Sequence, residues 1–168
     1  MNDPFHISLS LETPDQTAKL AAKLAPLLGA GDCLLLSGQI GAGKTHFSRA
    51  LIQARLAAVD LLEDVPSPTF TLVQVYDDTV QEIWHADLYR LSDPLEIVEL
   101  GLDQAFLDAI TIVEWPEMVP AAVQRNALRI QFETGPDEAS RMLTFQGDAT
   151  RWSKVLHLLS ASTGPLNA

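Results

Sequence analysis

The run Gly38-Gln39-Ile40-Gly41-Ala42-Gly43-Lys44-Thr45 fits the pattern G-x-x-x-x-G-K-[ST], with Gly38, Gly43, Lys44 and Thr45 at its fixed positions. The spacing suits a loop that wraps a polyphosphate. Glycines stand where a side chain would strike phosphate oxygen, so backbone N–H groups can point inward, and the helix that follows adds its positive end. Lys44 is placed to reach β- and γ-phosphates, and the Thr45 hydroxyl to take a position on Mg²⁺. A chance match arises about once in several hundred chains of this length. The flanks agree with the motif, because an apolar strand-like run precedes it and a helical pattern follows.

Such a loop needs a carboxylate from a neighbouring strand to hold Mg²⁺ or to polarise water. Asp87 ends Ile83-Trp84-His85-Ala86-Asp87, and Glu114 ends Ile110-Thr111-Ile112-Val113-Glu114. In a parallel α/β sheet an acid at a strand end emerges at the carboxyl edge, where ligands bind. The bland alternative for each is a solvated strand end. Trp115 follows Glu114 and is read either as an aromatic over the purine or as a core residue. Ser67-Pro68-Thr69-Phe70-Thr71 is a hydroxyl-rich loop placed like a segment that senses a γ-phosphate, or else an ordinary proline turn. His85 is read as structural rather than as a metal ligand paired with Asp87, and Cys33 as an inert small hydrophobe.

Positioning these residues requires an alternating scaffold. Phe5 to Leu11 alternates as a strand, and Thr13-Pro14-Asp15-Gln16 reads as a cap, a first-turn proline and a capping-box glutamine. Leu20, Leu24, Leu27 and Leu28 share a helical face that stops at Gly29 and Gly31. Cys33 to Leu36 is a buried-strand run, and Thr45 to Ala58 a helix. Leu72 to Tyr76 and Ile83 to Leu88 predict strands, and Asp93 begins a helix that ends at Gly101. Ile110 to Val113 is a second buried strand. Leu128 to Glu133 and Met142 to Gln146 form a hairpin across Gly135-Pro136, and Trp152 to Leu159 closes the chain as a helix. The expectation is an α/β P-loop NTPase fold: a mostly parallel central sheet, helices on both faces and an antiparallel C-terminal extension. Residues 1–168 are read as one domain with a frayed tail over 160–168.

Composition narrows the function. The 168 residues carry 22 acidic against 11 basic side chains, a formal net charge of -11, with the basic ones scattered. That argues against strong direct binding of nucleic acid, which needs a basic face; a partner would hold any RNA. No apolar run is long enough to span a membrane, and Met1-Asn2-Asp3-Pro4 lacks the start of a secretory signal, so the cytoplasm is the expected compartment. Neither an Asn-Lys-x-Asp guanine selector nor an arginine-dense lid occurs, which favours ATP and favours hydrolysis over transfer to a metabolite.

The P-loop, Ser67-Pro68-Thr69-Phe70-Thr71-Leu72-Val73, His85-Ala86-Asp87-Leu88-Tyr89-Arg90-Leu91 and Val113-Glu114-Trp115-Pro116-Glu117 together resemble the bacterial TsaE (YjeE-type) ATPase family. The segment Glu96 to Leu102 fits as well. The resemblance implies ATP hydrolysis within an assembly with TsaD and TsaB that makes threonylcarbamoyladenosine in tRNA, the RNA being contacted through those partners. It implies that Lys44 holds phosphates, that Thr45 and Glu114 hold Mg²⁺, and that Asp87 assists the catalytic water or the metal. It also implies that Trp115 and Arg141 lie near the nucleotide and Thr13 beside the adenine. One position departs from the pattern: His46 stands where the family often has a second threonine. Two rival readings remain, a phosphotransferase acting on a small molecule and a nucleotide-gated adaptor that hardly turns ATP over.

Overall fold

The computed structural model describes residues 3–162, and within them side chains of alternate parity on the central strands feed two separate cores. On β2 (Cys33–Gly38), Leu34 and Leu36 enter one core while Cys33 and Leu35 enter the other. On β5 (Ile110–Glu114), Ile110 and Ile112 join the first and Val113 the second. A strand buried on both faces must read as an unbroken apolar run, as these two do.

Seven strands form one sheet in the order β1-β7-β6-β2-β5-β4-β3. The remaining members are β1 (Pro4–Leu11), β3 (Val73–Asp77), β4 (Glu82–Asp87), β6 (Leu128–Thr134) and β7 (Arg141–Asp148). The four central strands β6, β2, β5 and β4 pair in parallel. Antiparallel pairing occupies both edges, through β3 on β4 and through β7 and β1 beyond β6. The C-terminal hairpin therefore stands as expected, and the N-terminal strand joins its far side.

The first core is closed by α1 (Pro14–Leu24), α2 (Lys44–Ala57) and α6 (Ser153–Ala161), which contribute Leu20, Leu24, Phe47, Leu51, Val155 and Leu159. The second is closed by α3 (Leu95–Glu99) and α4 (Leu102–Asp108) through Ile97, Leu102 and Phe106, with Val123 of α5 (Ala121–Asn126) packed against it. Helices on both faces hold for β2, β5 and β4 only. The β1-β7-β6 wing is covered on one face, and its other face shows His6, Ser8, Arg129, Gln131 and Gln146 to solvent. The alternation of buried and exposed residues from Leu128 to Phe132 on β6 is what a strand covered on one face requires.

Thr13 caps α1, its Oγ1 accepting the Gln16 N–H at 3.1 Å. The return bond of the expected capping box lands one residue early, from the Glu12 N–H to Gln16 Oε1 at 2.7 Å. The helix expected from Asp93 to Gly101 is shorter, and α4 and α5 are additional short helices. Arg55 ties three elements together. Its guanidinium donates to Asp78 Oδ2 from Nε at 2.8 Å and from Nη2 at 2.6 Å, and to the carbonyls of Ala25 and Leu28 from Nη1. Helix α6 extends through Ala161, while 163–168 of the expected frayed tail lie outside the described residues.

Candidate functional site

Strand β2 lies between β5 and β6, so chain connections leave it in both directions, and such a switch point is where open α/β sheets bind ligands. Register fixes which residues meet there. Leu36 of β2 is level with Glu114 of β5, and Glu114 is level with Asp87 of β4. Three parallel strands thus end together, two of them on carboxylates and one on the glycine-rich loop. A Cβ at Gly38 would sit 2.6 Å from the Phe132 carbonyl oxygen on β6, so only glycine lets the loop leave the sheet here. Gly43 has φ +104 and turns directly into α2.

The loop and strand ends line a cavity of about 380 Å³ formed by Ile40, Gly41, Gly43, Lys44, Thr45, His46, Thr69, Asp87, Tyr89, Glu114 and Trp115. Lys44, Asp87 and Glu114 are all buried. The Lys44 Nζ donates to the Gly38 carbonyl and, at 3.1 Å, to that of Gln39. It also lies 4.0 Å from the centre of the Trp115 ring. Burial holds the Lys44 ammonium below its ordinary pKa, and the opposing pull of Glu114, Asp87 and Glu117 does not cancel that.

Glu114 is bound through both carboxylate oxygens. Oε1 accepts the Thr45 hydroxyl at 2.8 Å, and Oε2 meets His85 Nε2 at 2.6 Å. Asp87 Oδ1 accepts the Tyr89 N–H at 3.0 Å, and Oδ2 lies 3.3 Å from the Thr69 hydroxyl, which also pairs with Ser67 at 2.7 Å. Arg90 Nη2 donates to the carbonyls of Thr69 and Phe70 at 2.7 and 2.9 Å, pinning the hydroxyl-rich loop from its other side.

Lys44, Thr45, Asp87, Glu114 and Trp115 therefore converge. The indole packs on Tyr89, with ring centres 4.8 Å apart, and on the lysine, so it stands at the Lys44 end of the loop. Trp115 has φ 57, an unusual value for a bulky residue and one that turns its ring back over the loop. Gly38, Gln39 and Ala42 form the loop without lining the cavity. Arg141 braces the loop from behind, donating from Nε to the Ala42 carbonyl at 3.0 Å and from Nη2 to that of Gly41 at 3.3 Å. Thr13 does not line the cavity; its hydroxyl is engaged at the α1 cap, one residue before the Pro14 carbonyl that pairs with His46 Nε2 at 2.8 Å.

A hydroxyl and two carboxylates around a phosphate-binding loop form a hard, all-oxygen donor set, which fits Mg²⁺. His85 is fully buried and its Nε2 is occupied by Glu114, so it does not offer the cavity a nitrogen ligand. Sequence reasoning left His85 and Tyr89 outside the site. The signal for His85 lay in the two-residue period of β4, which puts His85 on the same face as Asp87.

A family model described as "Threonylcarbamoyl adenosine biosynthesis protein TsaE" matches residues 11–143. The chain belongs to the TsaE family. A TsaE from Rickettsia felis is 34% identical over 154 residues, covering 92% of this chain and 87% of the relative. One from Bacillus subtilis is 32% identical over 148 residues, covering 88% and 89%. The crystal structure of Bacillus subtilis YdiB superposes with a TM-score of 0.75 at 25% identity, covering 96% of this chain and 98% of that one. The TsaE match begins at the last residue of β1, includes the P-loop, Asp87, Glu114, Trp115 and Arg141, and ends inside β7. The P-loop fold and its nucleotide-binding loop are thus shared with the family.

Proposed function

We propose that this protein binds ATP with Mg²⁺ in the cavity at the carboxyl edge of β2, β4 and β5. We further propose that it hydrolyses ATP in support of threonylcarbamoyladenosine formation in tRNA, working with TsaD and TsaB in the cytoplasm. The observation that carries the reading is the hydrogen bond between Thr45 at the loop end and Glu114 at the end of β5, with Asp87 level with Glu114.

Lys44 has the reach and charge to hold β- and γ-phosphates, and the Trp115 ring packs beside its ammonium. The Thr45 hydroxyl donates its hydrogen bond to Glu114 Oε1, which would leave its oxygen lone pairs for the ion. Mg²⁺, when bound, neutralises charge building on the transferred phosphoryl group. Asp87 is fixed by the Tyr89 amide and the Thr69 hydroxyl, as a residue that orients a water and takes its proton must be. The net charge of -11 fits a subunit that leaves contact with tRNA to its partners.

The adaptor reading keeps one supporting observation: Arg90 is spent on loop carbonyls instead of facing the cavity. The experiment is phosphate release by wild type, Glu114→Ala and Lys44→Met, each with and without TsaD and TsaB. Mg²⁺-dependent release that rises with the partners and disappears in both variants is the expected result. Tight ATP binding without release under any condition would leave an adaptor, and release that ignores Glu114→Ala would remove the site assignment.

A further inference from the structure

The most unusual side chain near the cavity is one that never reaches it. His85 has zero exposure, lies in the middle of β4, and is not among the cavity-lining residues. Its Nε2 stands 2.6 Å from Glu114 Oε2, while its Nδ1 is buried with no hydrogen-bond partner among the described residues. A fully buried histidine with one nitrogen engaged and the other orphaned carries a desolvation cost, which points to a role for the engaged one.

We propose that His85 is a positioning residue. Through a proton on Nε2 it donates to Glu114 Oε2 and so fixes the carboxylate plane that presents Oε1 to Thr45. This inference rests on the Mg²⁺-dependent reading of the site. One hydrogen bond to Thr45 leaves a carboxylate free to swing about its last torsion, which is broad and soft. A second bond to the other oxygen removes that freedom. The tautomer follows from the orphaned atom. A proton on Nδ1 would be a buried donor with no acceptor, whereas a proton on Nε2 faces an oxygen at hydrogen-bond distance. The arrangement parallels the partners behind metal-binding side chains generally, whose removal weakens metal affinity by about 10- to 100-fold.

Two measurements test this. The first uses the unaltered, metal-free protein: ring ¹⁵N–¹H correlation spectra of His85 are expected to show a proton fixed on Nε2. A proton on Nδ1 alone, or a ring without a fixed tautomer, overturns the proposal. The second titrates Mg²⁺ against nucleotide binding in wild type, His85→Gln and His85→Asn, with melting curves alongside. A glutamine amide reaches the Nε2 position and an asparagine amide the Nδ1 position. His85→Asn is therefore expected to raise the Mg²⁺ requirement about 10- to 100-fold, and His85→Gln to recover most of it. Equal loss in both variants, or wild-type Mg²⁺ dependence in His85→Asn while Glu114→Ala loses it, defeats the proposal and leaves the site reading intact. A wild-type protein indifferent to Mg²⁺ defeats both. Should either variant fail to fold, the ring measurement decides, since it needs no substitution.

Discussion

Replacing Lys44 with methionine should separate binding from stability. The substitution keeps the buried stem and removes the charge. A lysine whose folded pKa lies below its unfolded one binds fewer protons folded than unfolded. Charging it in the fold therefore costs stability in full below the folded value, and the cost fades as pH rises from the folded value to the unfolded one. Lys44 is such a group, because burial outweighs the pull of Glu114, Asp87 and Glu117. Wherever Lys44 is charged in the fold that cost is present, and methionine removes it while offering sulfur to the Trp115 face. The carbonyls of Gly38 and Gln39 that lose a donor are not buried, so water can replace it. Nucleotide binding moves the other way. Truncating one partner of a desolvated charge pair costs about 2–5 kcal/mol, which is about 30-fold to a few thousand-fold in affinity. Titration calorimetry with ATP and Mg²⁺, beside thermal melts without nucleotide, gives both quantities. The expected result is a midpoint at or above wild type with binding lost. A lower midpoint would mean that the two carboxylates stabilise the lysine more than burial penalises it, and unchanged affinity would remove Lys44 from the phosphates.

Asp78→Ala should cost about 3–5 kcal/mol, because it strands the partly buried Arg55 guanidinium, and should lower the melting midpoint by about 6–20 °C. Burial alone would raise the Asp78 pKa, but the Gln81 amide and Arg55 hold it below the usual carboxylate range; wild type should lose this stabilisation as acid protonates Asp78, and a variant as stable as wild type at pH 7 would refute the tie. Trp115→Phe should abolish most of the nucleotide-dependent emission change, with ATP moving wild-type emission more than ADP because the ring lies against Lys44; an undiminished signal would assign it to Trp84 or Trp152. Gly38→Ala forces a Cβ to 2.6 Å from the Phe132 carbonyl oxygen, so it should destabilise by about 1–3 kcal/mol and weaken nucleotide binding; unchanged melts and affinity would show that β2 and β6 yield freely.

What could be read from the chain was what local spacing encodes. The P-loop carries its own flanks, the Thr13 cap and Pro14 announce α1, and Gly135-Pro136 marks the turn of the last hairpin. The strand-end acids were legible because the parallel fold sends strand ends to one edge. Helices α4 and α5 escaped notice because seven and six residues are too few for a helical period to declare itself. The Arg55–Asp78 tie and the bond between His85 and Glu114 join residues 23 and 29 positions apart, and only the sheet order brings them together. The bare face of the β1-β7-β6 wing was present in the alternation of Arg129, Gln131 and Glu133. What the sequence did not carry was the absence of a covering helix on that side.

The Ser67–Thr71 segment connects these points to turnover. Thr69 lies between Asp87, which approaches its hydroxyl, and Arg90, which holds its carbonyl, while Arg90 also holds Phe70 and stacks 5.7 Å from its ring. Any shift of the segment must move Asp87 or break its bond to Thr69. The same contacts consume the one arginine in the motif that ends β4. Among the cavity-lining residues Lys44 is then the sole lysine or arginine facing two buried carboxylates. A γ-phosphate would add further negative charge, and an arginine directed at it raises turnover by about 10³ to 10⁵ in enzymes that possess one. A chain that ties its arginine to a loop would hydrolyse ATP slowly until something pulls that loop away or supplies another cation. Phe70 and Tyr89, at the two ends of this network, are 86% and 57% exposed, so a protein docking there would touch the segment that holds both Asp87 and Arg90.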